Sequence, residues 1–386
     1  MISDIRTLFT QNPLDSDVIL EKAVELGSSF LRGGWNLLEK NEVKVTKITG
    51  GQSNLIYLAT STNLTKLSSE TPTCFLIRIH CQPAHQVFND TVIFSVLSER
   101  GLGPKFYGFF PGGRLEEFLP SRTLDTDLIK LPEIAQRVGA LFPKYHEIDV
   151  PILKNAGAIR FIRQNLEAYK KLGGSIHKMR PYSIKYENEK VRDTISVEDL
   201  EKEIEVFEKW TKVFDDTIAF CHNDLAPLNV LEMDDTKELV LIDFEYASYN
   251  WRGFDLCMFL CENAFDYRVP PPGVWIDQNF VENHPNLQLF CEAYIDTLYE
   301  MKTKNPSQKF PVSEDRCAEV ARLMLEIKFF IPLVNLFWAV WSLRGFLANH
   351  DNGHDLEVAA SDRLTMYFHF KPQSEKIYEQ FLKNVI

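Results

Sequence analysis

The chain has 386 residues, and its 42 lysines and arginines against 54 aspartates and glutamates give a formal net charge of −12. Hydrophobic residues make up 45% of it, which excludes a mainly disordered protein because that much apolar surface can be buried. The acidic balance argues against nucleic acid or anionic lipid as a partner, since no basic stripe is left over to neutralise phosphate groups.

The cysteines and the apolar segments of the sequence indicate the cellular compartment in which the protein acts. The seven cysteines form no CxxC pair, which fits a reduced, intracellular compartment, and we predict a cytoplasmic protein. The N-terminal sequence MISDIRTLFTQN has an acid at position 4 and no long apolar run, so it does not predict a signal peptide. The most apolar stretch, 329–343, is shorter than the about 20 residues that a membrane span needs. We therefore predict a buried helix there and no membrane insertion.

The first 120 residues carry the pattern of a small sheet. Apolar spacing predicts a helix within 1–40, and a turn at Gly50-Gly51 separates the first two of several strands. Asn89 is the predicted N-cap of a helix that ends near Arg100. The predicted strands cover 43–48, 55–60, 74–80, 105–110 and 114–118.

Beyond Pro120 the strand pattern almost disappears and helical spacing takes over. The polar stretch 172–196 is predicted as a loop. The fold class is therefore α+β and bilobal, with a small antiparallel-sheet lobe over 1–117 and a larger, mainly helical lobe over 118–386. The helices predicted in the larger lobe cover 125–148, 153–171, 197–219, 253–265, 285–303 and 314–349.

The segment 221–231, CHNDLAPLNVL, contains His222, Asp224 and Asn229 in the pattern H-x-D-x-x-x-x-N. Phosphoryl transfer needs a carboxylate positioned at the acceptor hydroxyl and an oxygen ligand for the metal close by, and this loop supplies both. By itself the pattern also fits a turn in which the aspartate and the asparagine bond to the local backbone.

The next segment strengthens the catalytic interpretation. The apolar strand 239–242 ends at Asp243, and a buried strand does not usually end in acidic residues unless a cation or a basic partner is present. Kinase-like enzymes place their main Mg²⁺ ligand at such a position. The two segments together predict a catalytic site formed by Asp224, Asn229 and Asp243.

The small lobe supplies groups suited to the phosphates of a nucleotide. Gly51 lets backbone amides approach phosphate oxygens, and Ser53 adds a hydroxyl donor. Arg78 lies on the third predicted strand, where a kinase-like fold carries the cation that pairs with the phosphates. Asp90, on the helix that follows, is its predicted partner. The alternative for Arg78 is a salt bridge at the edge of a strand.

Five segments of the chain resemble the choline/ethanolamine kinase family and occur in the family order. Together they cover most of 45–370, and LIDFEY-x-x-YN-x-R-G-FD is the most specific. Arg252-Gly253 after Tyr-Asn-Trp is similar to the choline branch of the family. The five segments are GGQSN (50–54), ERGLGPKFYGFFPGGRLEEFLPSRTLD (99–125), HNDLAPLNVL (222–231), LIDFEYASYNWRGFDL (241–256) and WAVWS (338–342).

The resemblance implies a bilobal protein-kinase-like fold and the phosphorylation of choline by MgATP, the first step of phosphatidylcholine synthesis. It implies that Asp224 is the catalytic base and that Asn229 and Asp243 bind Mg²⁺. A homodimer is expected from the resemblance alone. The implied ATP site holds the adenine near 116–118 and comprises Gly51, Ser53, Asn54, Arg78, Asp90, Glu117 and Phe118.

Choline needs an aromatic pocket, because its quaternary ammonium has no N–H group and is held by ring faces and a diffuse negative field. Trp338 and Trp341 are three positions apart and share a helix face, which also fits an aromatic core stripe. The segment 256–260 replaces a family G-N-H-F motif, and 357–360 lacks a common tyrosine, so we expect a looser cage. The resemblance places five residues in the pocket, namely Tyr246, Glu262, Tyr267, Trp338 and Trp341.

Two other functions stay open at this point. The first is an ethanolamine or dual-specificity kinase, because a primary ammonium calls for hydrogen-bond acceptors and Glu262 is the obvious one. The second is a non-catalytic protein that binds a nucleotide or an amine, which the altered segment 256–260 suggests. The retained Asp224, Asn229 and Asp243 argue against the second.

Overall fold

The computed structural model describes two compact units. The first consists of the described residues of Met1–Arg122 and Met233–Leu241, and the second of those in Thr123–Glu232 and Ile242–Ile386. The described residues are 16–48, 54–80, 84–182, 192–266, 268, 275–305, 309–310, 313–350 and 355–384.

An antiparallel sheet of five strands forms the first unit, in the order β1-β2-β3-β5-β4. Each predicted strand is confirmed, because alternating apolar residues and Gly or Pro breaks are local signals. The helix α1 (Ser16–Phe30) packs against the sheet, where the Trp35 and Phe75 rings meet edge to face at 4.9 Å. The predicted turn at Gly50-Gly51 lies outside the described residues. The strands are β1 (Val43–Ile48), β2 (Asn54–Ser61), β3 (Cys74–His80), β4 (Phe106–Phe110) and β5 (Gly113–Glu116).

The helix after β3 begins earlier than predicted. The helix α2 spans Ala84–Glu99, so Asn89 lies inside it and is exposed, and the predicted N-cap at Asn89 is wrong. The overlooked signal is Pro83, since proline is common at the start of helices. The earlier start places Asp90 in the second turn of α2, where it is buried.

The second unit is mainly helical, as predicted. The longest helix, α9 (Arg316–Leu347), packs against four others, which are α4, α6, α8 and α10. The helices after α2 are α3 (Pro132–His146), α4 (Ala158–Lys171), α5 (Val197–Trp210), α6 (Arg252–Glu262), α7 (Gln278–Glu282), α8 (Leu287–Lys304), α9 and α10 (Leu356–Asn384).

Two kinds of element in this part of the chain were not predicted from the sequence. The helix α10 was not predicted, because Pro372 lies inside it and interrupts its helical pattern. Short strands were also missed, since two to four residues carry no measurable period. The predicted helix over 197–219 therefore ends at Trp210. The predicted strand 239–242 is confirmed as β11 (Leu239–Leu241). The missed strands are β6 (Ser121–Thr123), β7 (Ile176–Lys178), β8 (Thr194–Ser196), β9 (Ile218–Cys221), β10 (Val230–Met233), β12 (Ser248–Trp251), β13 (Phe265–Asp266) and β14 (Trp275–Ile276).

The apolar stretch 329–343 lies within α9. By length and composition α9 is able to cross a membrane, but 78% of its most apolar 18-residue window is buried inside the structure. Asn335 donates from Nδ2 to the Ile331 carbonyl at 2.8 Å, which satisfies its amide nitrogen within the helix. The predicted buried core helix is therefore confirmed.

An antiparallel pair of strands and α6 hold the segments that carry the predicted chemistry. The strand β9 pairs antiparallel with β12, in a register that sets Cys221 opposite Ser248. The helix α6 follows β12 directly and is tied to α9 by a buried, two-pronged ion pair. In it Arg252 donates to both carboxylate oxygens of Glu326, at 2.8 and 2.9 Å. The pairing with β12 therefore holds the start of the loop after β9 in a fixed position.

Candidate active site

His222 connects the two segments that the sequence singled out. Its ring Nδ1 accepts a hydrogen bond from the Asp224 backbone N–H at 3.3 Å, and its Nε2 donates to the Ile242 carbonyl at 2.8 Å. These two bonds require a neutral imidazole with its proton on Nε2. Burial fits this state, because it lowers the pKa of His222. One buried ring thereby fixes the backbone of Asp224 beside the end of the strand that leads to Asp243.

Asn229 and Asp243 are also brought together. The Ile242 N–H donates to the Asn229 carbonyl at 3.0 Å, so Asp243 follows the point at which the two segments bond. Asn229 donates from Nδ2 to the Asp224 carbonyl at 2.8 Å. Asp243 has a φ of 65°, in the left-handed region that only a few non-glycine residues adopt, and such residues are concentrated at functional sites.

Several acids surround Asp224. Burial raises the pKa of the Asp224 carboxyl well above its usual range, and three neighbouring negative charges raise it further. These neighbours are Asp243, Glu262 and Glu245. A cluster of carboxylates around one half-buried carboxyl group is costly unless a cation shares the site.

This donor set fits Mg²⁺. Magnesium is bound by oxygen ligands, usually one or two carboxylates together with phosphate oxygens and water. The amide nitrogen of Asn229 is committed to the Asp224 carbonyl, which leaves its oxygen to bind a metal. Asn229 and the Asp243 carboxylate are therefore the residues that would hold the ion, and its charge would offset the repulsion that Asp224 feels.

Asp255 is a positioning residue that sequence analysis missed. Its two carboxylate oxygens accept from consecutive backbone N–H groups, those of His222 at 2.9 Å and Asn223 at 2.7 Å. Asn223 has a φ of 62°, and Asp255 holds this strained turn in place. His146 Nε2 lies 3.2 Å from Asp255, and Tyr294 OH lies 2.9 Å from His146 Nδ1. The available signal was an acid inside the apolar run of α6.

Replacing Asp255 by asparagine is expected to lower kcat by about 100-fold, the effect of a small misplacement of reacting groups. The amide has one acceptor oxygen in place of two, so one backbone N–H of the loop loses its partner. Steady-state kinetics would show the loss in kcat with little change in KM. The exposed Asp193 changed to asparagine is the control. A kcat equal to that of the control would contradict this role.

Three aromatic rings of the predicted amine pocket lie in one cluster. The Tyr246 and Trp338 rings meet edge to face at 5.5 Å, and the Trp338 and Trp341 rings do so at 5.6 Å. Trp338 donates from Nε1 to the sulfur of Met258 at 3.3 Å. All three rings are partly exposed, unlike the fully buried rings of a core stripe. The Tyr246 carbonyl accepts from Asn223 Nδ2 at 3.1 Å, so the cluster begins beside the turn that leads to Asp224. Burial, and then the charges of Glu245 and Asp224, raise the pKa of Tyr246.

Glu262, the predicted acid of this pocket, is paired with a residue that sequence analysis did not identify. It accepts from Arg363 Nη2 at 2.9 Å, and Arg363 comes from α10, 101 positions further along the chain. The Arg363 guanidinium also lies 4.0 Å from the centroid of the Phe265 ring. Tyr267 lies outside the described residues.

The buried cation of the first unit belongs to a network rather than to one pair. Arg78 and Arg114 are directly opposite on β3 and β5, and the Glu116 Oε1 accepts from the Nε of each at 2.6 Å. Burial disfavours the charge of Glu116, but the two guanidiniums outweigh it and lower its pKa to about 2. Asp90 pairs with Arg114, so the predicted Arg78–Asp90 pair is wrong, because the missed Arg114 lies closer to α2.

The remaining predicted nucleotide residues lie on or next to the same sheet. Asn54 begins β2 and is buried. Glu117 follows β5, where its backbone N–H donates to the Lys105 carbonyl at 2.9 Å and its carboxylate accepts from the Lys105 N–H at 3.0 Å. Phe118 is half-buried. Gly51 and Ser53 lie outside the described residues.

Comparison with known proteins identifies the family. The sequence model of the choline/ethanolamine kinase family matches residues 45–368. The chain is 49% identical to choline kinase B1 of Caenorhabditis elegans, over 98% of each protein, and 47% identical to choline kinase B2 of that organism, over 98% of this chain and 99% of that one. This chain belongs to the choline/ethanolamine kinase family. It is therefore a kinase, and the predicted enzyme class is confirmed.

A solved structure supports the fold of this kinase. The crystal structure of choline kinase from Cryptosporidium parvum aligns with a TM-score of 0.70 and 19% identity, over 94% of this chain and 98% of that one. At that identity the likeness concerns the fold alone. The predicted α+β, protein-kinase-like fold is confirmed, with an antiparallel sheet in the N-terminal part and a helical C-terminal part.

Proposed function

We propose that this kinase transfers the γ-phosphoryl group of ATP to the hydroxyl of choline and forms phosphocholine, with Mg²⁺ as the metal. The observation that carries the proposal is the cluster of the Tyr246, Trp338 and Trp341 rings, in which the Tyr246 backbone bonds to the turn before Asp224. Ring faces suit a quaternary ammonium, and a carboxylate within reach of the adjoining hydroxyl suits its activation.

Each catalytic residue has a role in this proposal. Asp224 accepts the proton of the choline hydroxyl as the oxygen attacks the γ-phosphorus. Asn229 and Asp243 hold Mg²⁺, which neutralises charge on the phosphate oxygens when it is bound. His222 and Asp255 fix the loop and do not touch the substrate. Because the site offers positioning and charge rather than a covalent step, small displacements in this loop have large effects on the rate.

Nucleotide binding is proposed for the lobe 1–117, and the metal and choline sites for 118–386. Gly51, Ser53 and Asn54 would bind the phosphates, with Arg78 as the cation. Asp90 would contribute by holding Arg114 within the buried network. Glu117 and Phe118 would border the adenine. The network around Glu116 supports this proposal, because it holds Arg78 in one orientation.

An ADP-release assay with choline, ethanolamine and the N-methylated ethanolamines at fixed MgATP tests the proposed substrate. We expect kcat/KM to be highest for choline and to fall as methyl groups are removed, because each lost methyl group weakens contact with the rings. A higher kcat/KM for ethanolamine would show that the substrate is wrong. It would instead support the second candidate, an ethanolamine or dual-specificity kinase, which the buried acid Glu262 favours.

Changing Trp338 to leucine is expected to raise the KM for choline by about tenfold, the loss of one cation–π contact in a desolvated site. The value of kcat should change much less, since the hydroxyl and Asp224 keep their positions. Phe346 changed to leucine is the matched control, because it lies on α9 as well and is 40% exposed. An unchanged KM in the Trp338 variant would argue that the cluster is only a packing feature.

We also propose that the product enters phospholipid synthesis and that the enzyme acts in the cytoplasm. The family and the likeness to choline kinases over nearly the whole chain support this role. The expected homodimer stays a prediction. Sedimentation of the purified enzyme would test it, and a single species at the mass of one chain would contradict it.

A further inference from the structure

The ion pair between Glu262 and Arg363 is buried beside the proposed amine pocket. Glu262 is 4% exposed and Arg363 is 7% exposed, and the donor and acceptor atoms are 2.9 Å apart. The two residues come from α6 and α10, which are distant in sequence. A charge-assisted hydrogen bond that is this well shielded from water is strong, and neither partner is readily replaced by solvent.

Arg363 is held on a second side as well. Its guanidinium carbon lies 4.0 Å from the centroid of the Phe265 ring, a distance typical of a cation stacked on an aromatic face. The flat guanidinium therefore lies against a ring and donates to a carboxylate at the same time. A lysine would not reproduce this arrangement, because its ammonium is compact and does not stack.

The pair lies within electrostatic reach of the proposed base. The charge of Glu262 raises the pKa of Asp224, and the charge of Arg363 lowers it. The geometry places the pair at the pocket, because Met258, one turn before Glu262 on the same face of α6, accepts from Trp338 Nε1 at 3.3 Å. A substrate bound with its hydroxyl at Asp224 would have its ammonium group close to this part of the protein.

The two candidate ammonium groups differ in what they need. A primary ammonium has three N–H donors that lose their water partners on binding, so each needs an acceptor in the pocket. A quaternary ammonium has no donors and needs only ring faces. Glu262 is the one acid among the five residues predicted for the pocket, and its Oε1 is engaged by Arg363.

We propose that Arg363 is a specificity-determining residue, which favours a quaternary over a primary ammonium by holding Glu262 in a buried ion pair. The inference rests on the proposed function. With Arg363 in place, the negative charge of Glu262 is balanced by the guanidinium. The aromatic rings then determine which ammonium group binds. Without it, the Glu262 oxygen that Arg363 now occupies could accept a hydrogen bond from a substrate that has N–H donors.

The test compares kcat/KM for choline and for ethanolamine in Arg363→Gln, Arg363→Lys and the double variant Arg363→Gln with Glu262→Gln. In Arg363→Gln the choline-to-ethanolamine ratio should fall by about tenfold or more, through a gain for ethanolamine, as expected for a hydrogen bond to a charged group. In the double variant the ratio should return toward that of the unaltered enzyme. Arg363→Lys should give an intermediate ratio, and it carries the test if Arg363→Gln does not fold.

Equal losses for both amines in Arg363→Gln, or in Arg363→Lys if only that variant folds, would leave the ratio unchanged and would overturn the proposal. They would show that Arg363 is only structural. A fall that persists in the double variant would overturn it too, because the effect would not act through Glu262. Failure of the proposed function is distinguishable, since the unaltered enzyme would then phosphorylate neither amine or would have a higher kcat/KM for ethanolamine. Thermal unfolding of each variant shows which of them are folded.

Discussion

Replacing Asp224 by alanine is expected to lower kcat by about 10³-fold, the usual contribution of a positioned general base. The loop should keep its shape, because His222 bonds to the backbone of Asp224 and not to its carboxylate. Binding of MgATP should therefore persist. An ADP-release assay gives the rate, and titration calorimetry with a non-hydrolysable ATP analogue gives the affinity.

The control for this variant is the exposed Asp235 changed to alanine, which removes the same group from the turn between β10 and β11. It should match the unaltered enzyme in rate and affinity. Turnover of the Asp224 variant at the rate of this control would refute its role as the base. Loss of nucleotide affinity in parallel with the rate would instead assign Asp224 to metal binding.

Replacing Asp243 by alanine is expected to have an effect of similar size but of a different kind. The rate should fall by about 10³-fold, since a metal ligand contributes several kcal/mol of charge stabilisation in phosphoryl transfer. The Mg²⁺ concentration that gives half the maximal rate should also rise by more than about tenfold. Loss of a residue that only hydrogen-bonds to a metal ligand already weakens metal binding by about that factor.

The magnesium dependence of the rate distinguishes this role from that of Asp224. The exposed Glu238, just before β11, changed to alanine is the matched control and should leave the dependence unaltered. If the Asp243 variant has the magnesium dependence of the control, then Asp243 does not hold the ion. The strained φ of Asp243 would then need another explanation.

Local signals explain what could be predicted from the sequence. The strands β1 to β5 were predicted because their alternation and their Gly or Pro boundaries lie within a few neighbouring residues. The helix α10 was missed because Pro372 masks its pattern, and its stability comes from packing on α9, a contact no local window contains. The strands β9 and β12 were missed because each has only four residues.

The same distinction holds for the candidate site. The spacing of Asp224, Asn229 and Asp243 predicted that they meet, and the bond from Ile242 to Asn229 brings the two segments together. The partners of these groups were not predicted, because they are remote in sequence. Arg363 lies 101 positions from Glu262. The partner of Asp90 was predicted wrongly for the same reason. Strand register, and not spacing in the sequence, brings Arg114 beside Arg78.

The most direct test of the central claim is the identity of the phosphorylated product. The purified kinase, supplied with Mg²⁺, ATP and choline, should form phosphocholine and ADP in equal amounts, and phosphorus NMR would resolve both. The Asp224→Ala variant should form neither above background. Release of ADP with inorganic phosphate and no phosphocholine, under conditions in which the protein is folded, would contradict the claim.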